Sequence, residues 1–212
     1  MQLTKFTHSC VRLDDGERSL AIDPGVFSEV EQALDGVGGV LITHEHADHL
    51  DVGRVRAALT ADPRLRLWAP APVVASLGDF GEQVVAVAPG ETFDAAGFEV
   101  HTHGGQHAVI HPTIPVVANV GYVIDGLYHP GDALIVPPVP IDTVLAPIHA
   151  PWNKVSEVID FVVACRAAKV HPIHDSLLTP PGIALIETHV TRIGGWFGSA
   201  YTHLDAGQTV TL

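Results

Sequence analysis

The chain is short of cysteine, methionine, aromatic residues and positive charge. Its two cysteines, Cys10 and Cys165, lie far apart and outside any Cys-x-x-Cys pattern. They read as buried thiols in a reducing compartment. Eleven Lys and Arg against 24 Asp and Glu leave a net charge of −13. Such a surface repels phosphate backbones and disfavours general nucleic-acid binding, although bound cations would offset part of the charge. No apolar run approaches the roughly 18 residues that cross a bilayer. The opening Met1–His8 lacks the apolar core of a signal peptide, so the expected location is the cytoplasm. Linkers, low-complexity tracts and repeats of solenoid length are also missing.

What remains is a globular composition. The 212 residues are 47% hydrophobic and 17% charged, with a mean hydropathy of +0.27. That predicts one compact domain over residues 1–212 with a substantial core. The unusual abundance is 14 histidines, more than all Lys and Arg together. Histidine is the commonest metal ligand, and its spacing must say which members serve.

Strands are predicted at Leu3–Thr7, Cys10–Leu13, Ser19–Ile22 and Val40–Ile42, the third stopped by Asp23-Pro24-Gly25. A helix pattern covers Val52–Leu59 and a shorter one Pro72–Leu77, with strands at Gln83–Ala86 and Phe98–His103. A long strand is expected at Val116–Ile124, pairing with Leu127–His129 through the Asp125-Gly126 turn. Thr143–Ala146 reads as a buried strand and Ser156–Ala167 as an amphipathic helix. A strand from Lys169 ends at His174, and a last helix, Pro181–Ile193, is expected to stop at Gly194-Gly195. This order suits packed sheets with helices outside.

The segment Thr43-His44-Glu45-His46-Ala47-Asp48-His49 carries the chemistry. Alternate residues of extended backbone point to one side, so His44 and His46 can present two imidazoles to one metal. Asp48 and His49 fall where the chain turns towards the helix and can aim at a second metal. This segment resembles the His-x-His-x-Asp-His signature of the metallo-β-lactamase superfamily. Ala21-Ile22-Asp23-Pro24-Gly25 is similar to that family's early strand ending in a supporting aspartate. Gly104-Gly105-Gln106-His107, His129-Pro130-Gly131-Asp132 and Val170-His171-Pro172-Ile173-His174 resemble its later motifs, in order.

The resemblance implies an α/β fold of four layers, αββα, with two mixed β-sheets face to face and helices outside. It implies one metal on His44, His46 and His107, another on Asp48, His49 and His174, and Asp132 as a bridge. The implied cofactors are two divalent ions, Zn²⁺ first, with Mn²⁺ or Fe²⁺ as alternatives. It further implies a hydrolase whose metal-bridging hydroxide attacks an ester, lactone or phosphodiester, with Asp48 or Asp132 holding the proton. A phosphodiesterase or nuclease of the same fold, and a non-catalytic metal-binding protein, are the alternatives. The compact branch that includes ascorbate-phosphate lactonases is the nearest likeness.

Several histidines stay open. His101 and His103 share the polar face of their strand and read as surface residues. His171 competes with His174, and His111 with His107. His8 reads as a support for a ligand or a mere strand end, and His129 as a support or an exposed residue. His149, in Ala146-Pro147-Ile148-His149-Ala150-Pro151-Trp152, is a candidate to face substrate and carry the leaving-group proton. Trp152 reads as packing. The expected partner is a small-molecule substrate, with no nucleic acid and no membrane; a homo-oligomer is left open.

Overall fold

The structure is a computed structural model that describes residues 1–212. Strands β1 (Gln2–Lys5), β2 (Val11–Asp14) and β3 (Ser19–Ile22) open the chain, followed by helix α1 (Val30–Leu34) and strand β4 (Gly39–Leu41). Helix α2 (Val52–Ala61), β5 (Arg66–Ala69), α3 (Ala71–Leu77) and β6 (Val84–Ala86) complete the first half. The second half holds β7 (Thr92–Ala95), β8 (Phe98–Gly104), β9 (Val120–Ile124), β10 (Leu127–His129) and β11 (Thr143–Pro147). It closes with α4 (Val155–Cys165), β12 (Lys169–Ile173), α5 (Pro180–Trp196), β13 (Ala200–Tyr201) and β14 (Thr209–Thr211).

The strands make two mixed seven-stranded sheets, ordered β14-β1-β2-β3-β4-β5-β6 and β13-β12-β11-β10-β9-β8-β7. Alternation along the strands explains how they stack. Leu20, Ile22 and Leu41 point into an 18-residue cluster against Val120, Tyr122, Leu145 and Ile173 of the other sheet. Their neighbours Ala21 and Val40 face outward onto Val55, Leu59 and Val73 of α2 and α3. Likewise Val144, Ala146 and Val170 face Val158, Phe161 and Val162 of α4. The three clusters are the three interfaces of a four-layer αββα sandwich, as the motifs imply.

Two expected boundaries are corrected. The strand predicted from Val116 begins at Val120. Residues 116–119 are drawn aside because the Val117 carbonyl accepts from His107 N (3.0 Å) and the Asn119 carbonyl from Gly105 N (2.8 Å). Helix α5 runs through Gly194-Gly195 to Trp196. Gly194 packs where a Cβ would stand 3.4 Å from Val162 and 3.6 Å from Ser199, so there it serves close contact rather than termination.

Candidate metal centre

The sequence motifs meet at one edge of the sandwich, on loops that follow strand ends. After β3, Asp23 turns inward: its Oδ1 accepts from Thr43 N and its Oδ2 from Thr43 Oγ1, both at 2.7 Å. Asp23 Oδ2 also lies 2.6 Å from His49 Nδ1. One buried carboxylate thus fixes both ends of the His44–His49 loop. Gly25 makes that loop's path feasible, since a Cβ there would lie 1.9 Å from the Asp48 carbonyl oxygen. The second sheet pins the loop as well. Tyr122 Oη donates to Ile42 O at 2.8 Å and Val120 N to Thr43 O at 2.9 Å.

Two groups of donors result. His44, His46, His107 and Asp132 form one, and His8, Asp48, His49 and His174 the other; within each, the candidate ligand atoms lie within 4.8 Å of one another. Asp132 joins them: His107 Nε2 stands 3.2 Å and His174 Nε2 3.1 Å from its Oδ2, and His49 Nε2 stands 3.0 Å from its Oδ1. Despite those distances, Asp132 Oδ1 and His174 Nε2 are buried with no hydrogen bond of proper geometry. Both atoms belong to the donor clusters, where a bound cation would partner them. An orphaned buried carboxylate oxygen is costly, and a cation offsets that cost.

The opposite ring nitrogens show the same design. A metal-binding imidazole usually donates its other N–H to a carboxylate, carbonyl or water. His107 Nδ1 reaches Ala108 O (2.6 Å), His174 Nδ1 reaches His149 O (2.6 Å), and His44 Nδ1 reaches the Thr43 hydroxyl (3.0 Å). His46 is turned the other way, with Nδ1 3.1 Å from His44 Nε2. His8 follows the majority pattern: Nδ1 meets Ser176 Oγ at 2.8 Å while Nε2 lies 3.2 Å from Asp48 Oδ2. His8 is fully buried and held at φ +68°, a left-handed conformation that costs energy outside glycine.

The electrostatics agree with a cation-binding set. Burial, reinforced by neighbouring imidazoles, pushes His44 well below its ordinary pKa and lowers His46 and His8. Burial, the largest single influence, acts to lower His49 and His174, but two carboxylates together outweigh it at each: Asp132 with Asp23 at His49, and Asp132 with Asp48 at His174. His49 is therefore held well above its ordinary value and His174 at about 9. Burial would raise Asp132, yet His49, His107 and His174 around it hold it well below the carboxylate range. The carboxylates thus draw positive charge towards His49 and His174, and a bound cation would supply that charge in place of protons.

The remaining candidates are placed as follows. His129 is buried, donates from Nε2 to Ser9 O (2.9 Å) and accepts from Gly131 N (3.2 Å), which shapes the turn that delivers Asp132. Gly131 sits at φ +62°, and a Cβ there would lie 2.3 Å from Asn119 Oδ1. His171 turns away to Thr202 O (3.0 Å), His101 pairs with Glu99, and His111 meets Thr113. His149 contributes its carbonyl to His174, and its imidazole makes no hydrogen bond and does not line the cavity above the clusters. Cys10 and Cys165 are buried and unpaired, and burial pushes the Cys165 thiol up to about 12.

Sequence reasoning missed three supports. Trp152 Nε1 donates to Asp132 Oδ2 at 3.0 Å. Asn119 holds the Asp132 turn through Asp132 N and Pro130 O, both at 2.9 Å. Buried Lys5 pairs with Asp175 at 2.9 Å, beside His174. None belongs to a motif; only the 13-residue reach from Asn119 to Asp132 in space reveals that pair.

Residues 2–174 match the family model described as the beta-lactamase superfamily domain. The chain is 41% identical over 199 residues to the protein Rv0786c of Mycobacterium tuberculosis, covering 91% of this chain and 92% of that one. It is 32% identical over 124 residues to a UPF0173 metal-dependent hydrolase of Xanthobacter autotrophicus, half of each chain. Among solved structures, Igni18, a metallo hydrolase from Ignicoccus hospitalis, superposes with a TM-score of 0.74 at 20% identity, covering 99% of this chain and 97% of that one. YhfI of Bacillus subtilis, a metallo-beta-lactamase fold protein, superposes at 0.75 and 16% identity, covering 96% and 91%. At such identities the likeness is one of fold.

Proposed function

The chain belongs to the beta-lactamase superfamily, and from that premise we propose a metal-dependent hydrolase that holds two divalent cations and cleaves an ester, lactone or phosphodiester bond of a small molecule. The observation that carries this reading is the pair of donor clusters meeting at buried Asp132, whose Oδ1 is left without a hydrogen bond. His44, His46 and His107 would hold one cation. Asp48, His49 and His174 would hold the other, with His8 as a further donor, and Asp132 would lie between them. Imidazole and carboxylate donors without thiolate suit Zn²⁺, then Mn²⁺ or Fe²⁺. When bound, such a pair lowers the pKa of a shared water and polarises the bond under attack.

The chain's own side chains do the rest. Asp132 is oriented by the Trp152 indole and the Asn119 side chain. Asp48 reaches the cavity, and its Oδ2 lies beside His8 and His174. In this reading it would accept a proton from the attacking water and return it to the leaving group. The His149 carbonyl keeps the His174 ring turned inward.

Metal analysis of protein purified without chelator should find about two transition-metal equivalents per chain. His46→Ala or Asp132→Ala should abolish hydrolysis of the best substrate in a panel of esters, lactones and phosphodiesters, with circular dichroism unchanged. No uptake from added Zn²⁺ or Mn²⁺, or activity that survives either change, overturns the reading.

A further inference from the structure

The cavity over the donor clusters, about 250 Å³, has a floor and walls of opposite chemistry. The floor is His46, Asp48, His107, Asp132 and His174. The walls are Val26, Phe27, Ile110, Pro151, Trp152 and Leu177, and no Lys or Arg lines the cavity. Phe27 is 45% and Leu177 56% exposed, although large hydrocarbon side chains ordinarily go inside. Apolar surface left open around a concave site marks a place where a ligand completes the burial.

The aromatic walls also touch the donor clusters. The Phe27 ring meets the edge of the His8 imidazole at 5.3 Å and 85°. The Trp152 indole is tied to Asp132 and stands edge-on to His107 at 5.8 Å. Both aromatic walls therefore sit at a set distance from the place where chemistry would occur. Their loops arise from different parts of the chain: Phe27 follows β3, Trp152 follows β11 and Leu177 follows β12.

We infer that the non-reacting part of the substrate is an uncharged hydrocarbon group: the substrate is an ester or lactone carbonyl bearing a short alkyl or aryl acyl group, seated against Phe27, Trp152 and Leu177. This rests on the hydrolase reading above. A charged tail would meet six apolar side chains with no ion partner and would lose its hydration uncompensated. The volume lies just below the usual range of ligand pockets, which suits a short chain or one ring. In the reaction, water oxygen forms the new bond to the carbonyl carbon and the bond to the alcohol oxygen breaks. One water proton goes to the alcohol, and the other is released as the acid ionises.

The test uses the metal-loaded full chain in two arms. In the first, kcat/KM is measured on p-nitrophenyl acetate, butyrate and hexanoate and on bis(p-nitrophenyl) phosphate. The esters should rise roughly fourfold per added methylene until the cavity fills, with the phosphodiester below them. Phe27→Ser and Leu177→Ser should flatten the rise while keeping metal content and Tm. In the second arm, tryptophan fluorescence follows binding of hexanamide, 6-aminohexanamide and adipamate, with Trp152→Phe as the control that removes the signal. The neutral amide should bind at least tenfold more tightly than either charged analogue. A flat chain-length series, or equal binding of a charged tail, overturns the inference. Selective binding of the neutral amide with no hydrolysis of the esters or of the phosphodiester overturns the hydrolase reading and, with it, the ester assignment, while leaving the apolar wall as a binding surface.

Discussion

At the scale of single residues, His8 shows how much a position can do outside the motifs that supply the expected ligands. Its backbone is strained, its side chain is buried, and its Nε2 faces Asp48 while Ser176 holds the other ring nitrogen. A packing residue needs none of this. Removing its imidazole should therefore be read out in metal affinity before it is read out in folding. His8→Ala is expected to bind one equivalent of Zn²⁺ as the parent does and the second about 10- to 100-fold more weakly, the range typical of lost support at a metal site. Calorimetric titration of the stripped protein checks this; two unchanged binding steps would return His8 to packing. Trp152 teaches the reverse lesson. It reads as packing from its neighbours in sequence, and its indole N–H proves to hold the central carboxylate.

At the scale of elements, the critical contact is between the turn after β3 and the His44–His49 loop. Val26 N donates to Ala47 O at 2.8 Å, and the missing Cβ of Gly25 leaves room for the Asp48 carbonyl. Gly25→Ala should displace the loop, so that metal content falls well below two equivalents while the far-UV spectrum persists. At the other end of the chain, Glu187 of α5 accepts from Tyr201 Oη (2.8 Å) and lies 2.5 Å from His203 Nδ1. Burial acts to lower the His203 pKa, but Glu187, joined by Asp205, more than offsets it and raises the pKa above its ordinary 6.5. The pair thus stabilises the fold fully below about pH 6.5, and the benefit fades as pH rises through the raised folded-state value. For a partly exposed pair the gain is well under 1 kcal/mol. The Tm of the parent should exceed that of Glu187→Gln by about 1–2 °C more at pH 5.5 than at pH 9. The elements were legible where the signal was local. His44–His49 is a single stretch, and the Asp125-Gly126 hairpin pairs Leu127 with Ile124 as expected. Strands such as β7, Thr-Phe-Asp-Ala, and β14, Thr-Val-Thr, left no such mark. They are short and partly exposed, and only pairing with β8 and β1 makes them strands. The start of β9 was misjudged for the same reason, since the pull of the His107 loop on Val117 acts across sequence.

At the scale of the molecule, the donors are divided between the two sheets. His8, His44, His46, Asp48 and His49 come from the first, and His107, Asp132 and His174 from the second. Cations at the seam would bind the folded pair of sheets and no separated half. At a thousandfold excess over Kd, each would add about 4 kcal/mol, so chelation of both should lower Tm by roughly 15–30 °C in a chain this size. Differential scanning calorimetry with and without EDTA checks this; an unchanged Tm would place the metals, if bound, outside the seam. The same division sets a rule for anyone recombining this chain with a relative. A crossover between β6 and β7 yields a hybrid in which neither half completes a cation site, since His44 and His46 are parted from His107 and Asp132, and Asp48 and His49 from His174, so both sites now depend on whether two foreign sheet faces pack alike. The Tyr122–Ile42 and Val120–Thr43 bonds are the gauge of that fit. Hybrids that preserve them should inherit a working centre, and those that lose them should inherit two vestiges of one.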